Sequence, residues 1–369
     1  MSLTLWHLGR RGGGPRYTLE LARALRDQPG VRLSLVISAQ SDLHAETIAL
    51  GLPTLSIDTY TDLRGFALGF LRLPAIAASL TRFLREQGSQ IALCTMVHLW
   101  NPLLAGAIRR AGAAYALVVH DAAPHPGDNH LWRGLMLKND FRQADLLVSL
   151  TDAVATRLAD EQRVPAAKII RSRLGAFRYG SGAARTLGEA PHRLLFFGRL
   201  LPYKGLDRLI EAMRLLESEN FPVRLRLVGQ GPLDLGPLPG NVDLERRWAA
   251  EAEIPDLFAN ADLAVLPYQE ASQSGVLPIA QHLGLPSLVT PVGGLLEQVE
   301  GGKSGFVADD VSASGLARSI KKIFGEPAVY RNLSQRLIAS GSDRQWSEIA
   351  DILQADLRLW RHAQRKKSR

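Results

Sequence analysis

Short apolar runs alternate with helical patterns along the first half of the chain. Five runs have the length and composition of buried strands: 3–8, 31–37, 91–96, 115–119 and 145–150. Between the first two runs, Tyr17, Leu21, Ala24 and Leu25 recur at helical spacing. This alternation predicts an α/β fold in which a parallel sheet is covered by helices on both faces.

The alternation stops in a Gly- and Ala-containing stretch at 178–192 and then restarts. Further strand-like runs begin at Leu194 and follow at 223–228, 263–266 and 287–290. We therefore predict two Rossmann-like, doubly wound domains, 1–183 and 184–345, with a C-terminal segment, 346–369, that crosses back to the first domain. Ligands of such sheets bind beyond the carboxyl ends of the strands, so two domains facing each other predict an active site in the cleft between them.

Composition agrees with two soluble domains. A chain of 369 residues is too long for one ordinary core, and its 46% hydrophobic and 22% charged residues are typical of globular proteins. The single cysteine, Cys94, excludes an intramolecular disulfide framework. The chain contains no apolar run of about 18 residues and begins with a strand-like segment instead of a signal peptide, so we expect a cytoplasmic location.

The formal charge of +8 indicates either that the protein binds an anionic partner or that its excess cations are simply exposed to solvent. Nucleic acid is not favoured, because zinc-finger spacing, aromatic RNA-binding strands and basic heptads are all missing from the sequence. The segment 356–369 carries six cations against one acid: Arg358, Arg361, Arg365, Lys366, Lys367 and Arg369. This basic tail favours an anionic surface or a phosphorylated substrate.

The stretch "FFGRLLPYKGLDRLIEAM" places two cations between a buried strand and a helix. The strand ends at Gly198, and an amphipathic helix pattern starts after Gly205. Arg199 and Lys204 therefore lie in a loop at the carboxyl end of a strand, beside a helix N-terminus, where an anion is stabilised. Two solvated surface cations are the alternative interpretation.

Two loops of the first half offer further candidates. In "GRRGGGPRY", Gly13 and Gly14 open a helix, and such glycines either bring the backbone close to a ligand or form an ordinary turn. In "VVHDAAP", His120 ends a strand, where a histidine serves either structure or catalysis.

Four blocks of the second half resemble one known family in order and spacing. They are "FGRLLPYKG", "VGQGP", "FANADLAVLPY" and "GLPSLVTPVGGLLEQV…GKSGFV". Together they resemble the carboxyl-terminal domain of the retaining GT-B glycosyltransferases of family GT4, strongly over 194–310 and weakly before 150. The resemblance implies a GT-B fold and transfer of a sugar from a nucleoside-diphosphate sugar to an acceptor hydroxyl with retention of anomeric configuration. It also implies that Arg199 and Lys204 grip the diphosphate.

The resemblance assigns roles to several other positions. It places Gly13 and Gly14 near the diphosphate and acceptor, His120 near the donor sugar, Gly229 of the "VGQGP" turn at the donor, and Arg246 or Arg247 near the base. Either of these two arginines could equally be a solvated cation.

One loop departs from the family pattern of two glutamates separated by seven residues. In "YQEASQSGVLPIAQHLG", Glu270 matches the first glutamate, but the second position falls on Ile279 or Ala280, so the sequence has no carboxylate there to recognise the ribose. We expect the turn to donate backbone amides to the phosphates from Ser274, Gly275 and Val276. Gln273 bonds a sugar hydroxyl or caps the helix.

These features predict a glycosyltransferase of polysaccharide or glycolipid assembly that needs neither a cofactor nor a metal ion. A sugar-nucleotide epimerase or a non-catalytic nucleotide-sugar-binding protein of the same fold is the alternative. Residues 63–88 mix aromatic and basic side chains, which predicts either a core helix or a helix on an anionic membrane surface. With the basic tail, the second interpretation points to a peripheral membrane enzyme with a lipid-linked acceptor.

Overall fold

A computed structural model describes residues 1–124 and 131–367. Two compact units make up the chain. Among the described residues, the first unit comprises 1–123, 131–174 and 343–367, and the second contains 175–342. The unit boundaries fall at 174/175 and 342/343, where the sequence predicted 183/184 and 345/346.

A parallel sheet forms the centre of the first unit. Across the described residues it has seven strands in the order β3-β2-β1-β4-β5-β6-β7. The strands are β1 (Ser2–His7), β2 (Arg32–Ser38), β3 (Thr54–Ile57), β4 (Ile91–Cys94), β5 (Ala114–Val119), β6 (Leu146–Ser149) and β7 (Ile169–Arg171). Strands β1, β4, β5 and β6 are buried along their whole length, as expected for a sheet covered on both faces.

Helices alternate with these strands. They are α1 (Gly13–Arg26), α2 (His44–Ile48), α3 (Leu63–Glu86), α4 (Asn101–Arg110), α5 (Leu131–Gln143) and α6 (Asp152–Asp160), with a 3-10 turn at Ala166–Lys168. Asp62 caps α3 by accepting a hydrogen bond from the Gly65 amide, and Thr151 caps α6 in the same way through the Val154 amide.

The second unit has its own parallel sheet. Its order across the described residues is β10-β9-β8-β11-β12-β13. The strands are β8 (His192–Phe197), β9 (Val223–Gly229), β10 (Val242–Arg246), β11 (Leu263–Leu266), β12 (Ser287–Val289) and β13 (Phe306–Val307). The helices are α7 (Leu206–Ser218), α8 (Ile254–Ala259), α9 (Val276–His282), α10 (Gly294–Gln298), α11 (Ala313–Gly325) and α12 (Pro327–Ser340), with 3-10 turns at Pro202–Lys204, Glu251–Glu253 and Glu300–Gly302.

The last helix, α13 (Ser342–Lys367), belongs to the first unit from Asp343 onward. The ring of Trp346 lies 5.6 Å from the ring of Tyr17 in α1. Farther along, the Gln354 side-chain amide donates to the Gln28 side-chain oxygen at 2.9 Å, and Arg358 donates to the Pro29 carbonyl at 2.9 Å. The C-terminal segment therefore packs beside the first helix of the chain.

All the strands predicted from apolar runs are present, with ends shifted by one or two residues. The apolar runs did not include β3, β7, β10 and β13. Each of these is an outer strand of its sheet, and each is short and only partly buried, so its sequence lacks the continuous apolar run of a central strand.

Each sheet reverses its strand order once. The reversal lies between β1 and β4 in the first unit and between β8 and β11 in the second. The loops that follow the carboxyl ends of these strand pairs are the expected ligand positions of open α/β sheets. In the first unit these loops start at Leu8 and Thr95, and in the second at Gly198 and Pro267.

Candidate functional site

The loop after β8 carries the two predicted anion-binding cations. It runs through a 3-10 turn at Pro202–Lys204 and reaches Gly205, which adopts a left-handed conformation with φ of 66°. A side chain at Gly205 would place its Cβ 1.9 Å from the Pro267 carbonyl oxygen, so only glycine fits there. The loop after β8 is thereby packed directly against the loop after β11.

Two tyrosines hold the cations of this loop. Arg199 is exposed, and its Nη2 donates to the Tyr203 hydroxyl at 3.2 Å. The Lys204 side chain is buried, and its Nζ lies 3.5 Å from the ring centroid of Tyr268 and 4.9 Å from that of Tyr203. Both ammonium–ring distances are within the range of cation–π attraction. The two cations thus belong to a built cluster, and they are not a pair of isolated surface charges.

The turn after β9 packs against the same loop. A Cβ at Gly229 would lie 1.8 Å from the Gly198 carbonyl oxygen, and one at Gly231 would lie 2.2 Å from that of Leu200. The Leu200 amide also donates to the Gln230 carbonyl at 3.0 Å. The glycines of "VGQGP" are therefore required by contact between the two loops, whichever ligand binds beside them.

The two arginines predicted from the sequence to lie near the nucleotide base, Arg246 and Arg247, have different side-chain partners in the structure. Arg246 donates to the carbonyls of Gly231 and Leu233 at 2.6 and 2.9 Å, and so it braces the turn after β9. Arg247 forms ion pairs with Glu245 and Glu253, and hydrogen bonds to these carboxylates raise its pKa. Both residues adjoin the glycine turn, since the Arg247 amide donates to the Gly229 carbonyl at 2.9 Å, but the Arg246 side chain is the one that bonds to it.

The amides predicted to bind phosphate are already used within the turn before α9. The Ser274 amide donates to Gln298 Oε1 at 2.7 Å, and Gln298 Nε2 donates back to the Ser274 carbonyl at 3.0 Å. The Val276 amide donates to the Ser274 hydroxyl at 3.2 Å. Both amides therefore have partners within the protein, and phosphate binding by Ser274 and Val276 stays a prediction that would require these bonds to be exchanged. Gly275, between them, is exposed.

The second glutamate position of the loop after β11 is apolar and buried. Ile279 is 5% exposed and Ala280 is fully buried, both within α9. Glu270 and Gln273 are half-buried and lie on the loop that joins β11 to α9. The structure thus gives no carboxylate at position 279 or 280, as the sequence indicated.

In the first unit, a buried hydrogen-bond network joins the ends of β1, β4 and β5. His120 Nε2 lies 2.9 Å from the Thr95 carbonyl, which can only accept, so this nitrogen carries the proton. The Thr18 hydroxyl donates to the Gly14 carbonyl at 2.8 Å, so its 2.6 Å contact with Thr95 is a donation from Thr95. Thr95 Oγ1 also lies 3.3 Å from His7 Nδ1 and 3.4 Å from the Trp6 carbonyl.

His7 was not predicted from the sequence, and it explains Gly14. A Cβ at Gly14 would lie 2.6 Å from His7 Cε1 and 2.8 Å from Met96 Sδ, whereas one at Gly13 would meet nothing within 4 Å. Gly14 therefore makes room for a buried imidazole, and Gly13 keeps an open surface at the start of α1.

The three histidines at this edge are held in the neutral form. Burial lowers the pKa of His7 to about 3, and the proximity of the His98 and His120 imidazoles lowers it by smaller amounts. Burial and then the charge of Arg10 lower the pKa of His98 to about 4, and burial also lowers that of His120. No group of three His, Cys, Asp or Glu suited to a metal ion occurs within residues 1–124 and 131–367.

Helix α3 has features of both alternatives predicted for residues 63–88, a core helix and a helix with apolar side chains at the surface. Leu80 and Leu84 are buried in the core, but Leu68, Phe70 and Leu71 are exposed by 60%, 44% and 79%. Within the described chain, no helix has the length and apolar content needed to cross a bilayer. Arg369, the last cation of the basic tail, lies outside the described residues, while α13 contains the other five.

Two family models match this chain, one within each unit. The family model described as "Glycosyl transferases group 1" matches residues 191–326, and the one described as "Glycosyltransferase Family 4" matches residues 11–171. Over 192 residues the chain is 30% identical to the putative colanic acid biosynthesis glycosyltransferase WcaL of Salmonella typhimurium, covering 48% of this chain and 47% of that protein. The chain spans about half the length of the curated relatives it matches.

Solved structures resemble the whole chain at low identity. The Anabaena protein HepE in complex with UDP-glucose is similar with a TM-score of 0.68 and 18% identity, covering 96% of this chain and all of that one. The UDP-GlcNAc 2-epimerase of Neisseria meningitidis bound to UDP-GlcNAc gives a lower TM-score of 0.57 at 12% identity, covering 97% and 99%. At these identities the likeness concerns the fold.

Proposed function

Because this chain has the GT-B fold and belongs to glycosyltransferase family 4, the glycosyl transferases of group 1, we propose that it moves a sugar from a nucleoside-diphosphate sugar to an acceptor hydroxyl. Retention of anomeric configuration and a role in polysaccharide or glycolipid assembly are part of the proposal. The similarity to the WcaL protein, which is named for colanic acid biosynthesis, supports the second part.

The observation that carries this proposal is the cation cluster after β8. Arg199 and Lys204 lie at the strand-order reversal of the second unit, next to the start of a 13-residue helix, α7. A diphosphate suits this position, because two cations and the positive end of a helix dipole act on it together. The structurally similar HepE protein was solved in complex with UDP-glucose, which supports a nucleotide sugar as the donor.

The proposed chemistry depends on charge that develops at the leaving group. As the bond between the anomeric carbon and the phosphate oxygen breaks, the diphosphate gains negative charge, and Arg199 and Lys204 stabilise it more than they stabilise the bound donor. The acceptor oxygen bonds to the anomeric carbon on the same face, and its proton passes to the leaving phosphate oxygen. We assign His120, with its proton on Nε2, and Glu270 to contacts with the donor sugar.

A thermal-shift panel of UDP-, GDP- and ADP-sugars tests the proposal. One donor class should raise the melting temperature, since a ligand at a hundredfold excess over its Kd stabilises the folded state by about 2.7 kcal/mol. The same donor should then release nucleoside diphosphate when a membrane extract supplies acceptors. If no sugar nucleotide shifts the melting temperature, the proposal is wrong.

The alternative function is isomerisation of the donor without transfer. The observation behind it is that the fold also resembles that of a UDP-GlcNAc 2-epimerase. The TM-score with that epimerase is lower than the TM-score with HepE. Conversion of the sugar nucleotide in the absence of any acceptor would favour the epimerase. Consumption of donor only when acceptor is present would favour the transferase.

We expect turnover to continue in EDTA. The diphosphate charge is to be balanced by Arg199 and Lys204, so the transition state does not depend on a divalent ion. Initial rates with and without chelator should agree within about twofold. A change of about 1.4 kcal/mol in activation free energy would already alter the rate tenfold. Activity that disappears in EDTA and returns with magnesium or manganese would reveal a metal requirement.

We also propose that the first unit binds an anionic membrane surface. The exposed apolar patch of α3, defined here as Leu68, Phe70 and Leu71, and the basic tail on α13 belong to the same unit. Apolar side chains at the surface, combined with cations worth roughly 1 kcal/mol each near anionic lipid, would hold the protein on a bilayer. A lipid-linked acceptor would then be available to the first unit.

Cosedimentation with liposomes checks this part of the proposal. The protein should sediment with anionic vesicles at low salt and be released as ionic strength rises, because salt screens the tail. Leu71→Glu and removal of residues 365–369 should each weaken binding, while Val329→Glu, at an exposed apolar position of α12, should not. Equal recovery in the supernatant with neutral and anionic vesicles would contradict membrane binding.

A further inference from the structure

Tyr268 occupies a central place in the cation cluster of the second unit. It follows β11, is 1% exposed, and meets Tyr203 edge-on with 6.4 Å between the ring centroids. The Lys204 ammonium lies 3.5 Å from its ring centroid. An ammonium group over a tyrosine face is attracted by the ring quadrupole, and the attraction grows where water is excluded.

The hydroxyl of the same tyrosine reaches a different loop. It lies 3.1 Å from the Ser274 hydroxyl, and the Ser274 backbone is clamped by the two reciprocal bonds to Gln298. Burial raises the pKa of Tyr268, so the hydroxyl keeps its proton. One side chain therefore connects the Lys204 loop with a turn that α10 holds in place.

We propose that Tyr268 is a positioning residue that orders the Lys204 ammonium before the donor diphosphate arrives. This inference rests on the proposed function. A lysine side chain has four rotatable bonds and a large rotamer entropy, so ordering it in advance lowers the cost of binding an anion.

Three variants separate the ring from the hydroxyl. Tyr268→Phe keeps the face beneath Lys204 and loses the contact with Ser274, so donor binding should weaken only about threefold. Tyr268→Leu loses both and should weaken binding of the nucleoside diphosphate roughly tenfold or more. Tyr330→Phe is the matched control, because it removes a buried hydroxyl bond to the Asp262 carbonyl in the same unit, outside the cation cluster.

A double-mutant cycle tests whether Tyr268 acts through Lys204. If it does, Tyr268→Leu should add little to the loss already caused by Lys204→Ala. A tyrosine that only supports the fold would weaken binding by the same factor in both backgrounds, and that result would overturn the proposal. Kd is measured for the nucleoside diphosphate that the thermal-shift panel selects.

An NMR measurement tests the contact without any ligand. After reductive methylation with labelled carbon, the Lys204 methyl signal, identified from Lys204→Arg, should be shifted upfield by the ring in wild type and Tyr268→Phe. The shift should vanish in Tyr268→Leu. A normal Lys204 shift in wild type overturns the contact. If wild type binds no sugar nucleotide although the shift is present, the proposed function fails and the positioning role fails with it.

Discussion

Replacing either cation of the loop after β8 with alanine should lower turnover about 100-fold and leave the fold intact. In Arg199→Ala and Lys204→Ala, the diphosphate loses a charge that acts most strongly as the glycosidic bond breaks. Removing one such stabilising group from a preorganised site costs on the order of 3 kcal/mol in activation free energy. The measurement is kcat/KM with the donor identified in the thermal-shift panel.

Arg214→Ala provides the matched control for this experiment. Arg214 is also an arginine of the second unit and lies on α7, where it pairs with Glu211 and the Pro237 carbonyl. Its loss should change kcat/KM little. Circular dichroism and the melting temperature should be near wild type for Arg199→Ala, which removes an exposed side chain. Wild-type activity in both cation variants would contradict the assigned role of the loop.

Acid should destabilise the first unit through its buried histidines. The pKa of His7 is lowered by burial from 6.5 to about 3, and that of His98 to about 4. Between these values and 6.5, the unfolded chain binds protons that the folded unit does not. The free energy of unfolding therefore rises with pH in this window and is lost as pH falls from 6.5 toward 3.

The structure gives the reason why His7 resists protonation. Its Nδ1 lies 3.3 Å from Thr95 Oγ1, and its Nε2 is buried with no hydrogen-bond partner among the described residues. A proton on Nε2 would create a buried charge and an unsatisfied donor beside Gly9 and Gly14. Each such histidine should contribute about 1.4 kcal/mol per pH unit in this window, or roughly 5 kcal/mol over its full range for His7.

Urea unfolding between pH 4.5 and 7.5 measures this effect. His7→Asn keeps a hydrogen-bonding group near the Nδ1 position but cannot titrate, so below pH 6.5 the slope of unfolding free energy against pH should fall by about 1.4 kcal/mol per unit. His362→Asn, at an exposed position of α13, should leave the slope unchanged. An identical slope in wild type and His7→Asn would show that His7 does not control acid stability.

Sequence patterns predicted the central strands and the cation loop well, for a clear physical reason. A strand buried on both faces must be apolar throughout, and a helix on its surface must repeat its apolar residues at helical spacing, so both are visible locally. Arg199 and Lys204 could be picked out because they interrupt such a pattern at a strand's carboxyl end. Outer strands such as β3 and β13 do not share this constraint and were missed.

Contacts between distant segments could not be predicted in the same way. Tyr268 lies under Lys204, and Gln298 pairs with the Ser274 backbone, only because the loops after β8 and β11 and helix α10 meet at one edge of the sheet. The same region of the structure gives the amides of Ser274 and Val276 hydrogen-bond partners that the sequence did not reveal. No periodicity in the sequence records which hydrogen bond a backbone amide will make.

The sequence by itself determined that the chain forms two parallel-sheet α/β units and how central strands and helices follow one another along it. It also determined the family to which the chain belongs. These follow from local burial and from motifs a few residues long. Only the tertiary structure decided which glycines are required by packing, as Gly14 is by His7 and Gly229 by the Gly198 carbonyl, and how the site cations are held. Such features depend on atoms brought together by chain segments far apart, and their energies are set by distance and burial in the folded protein.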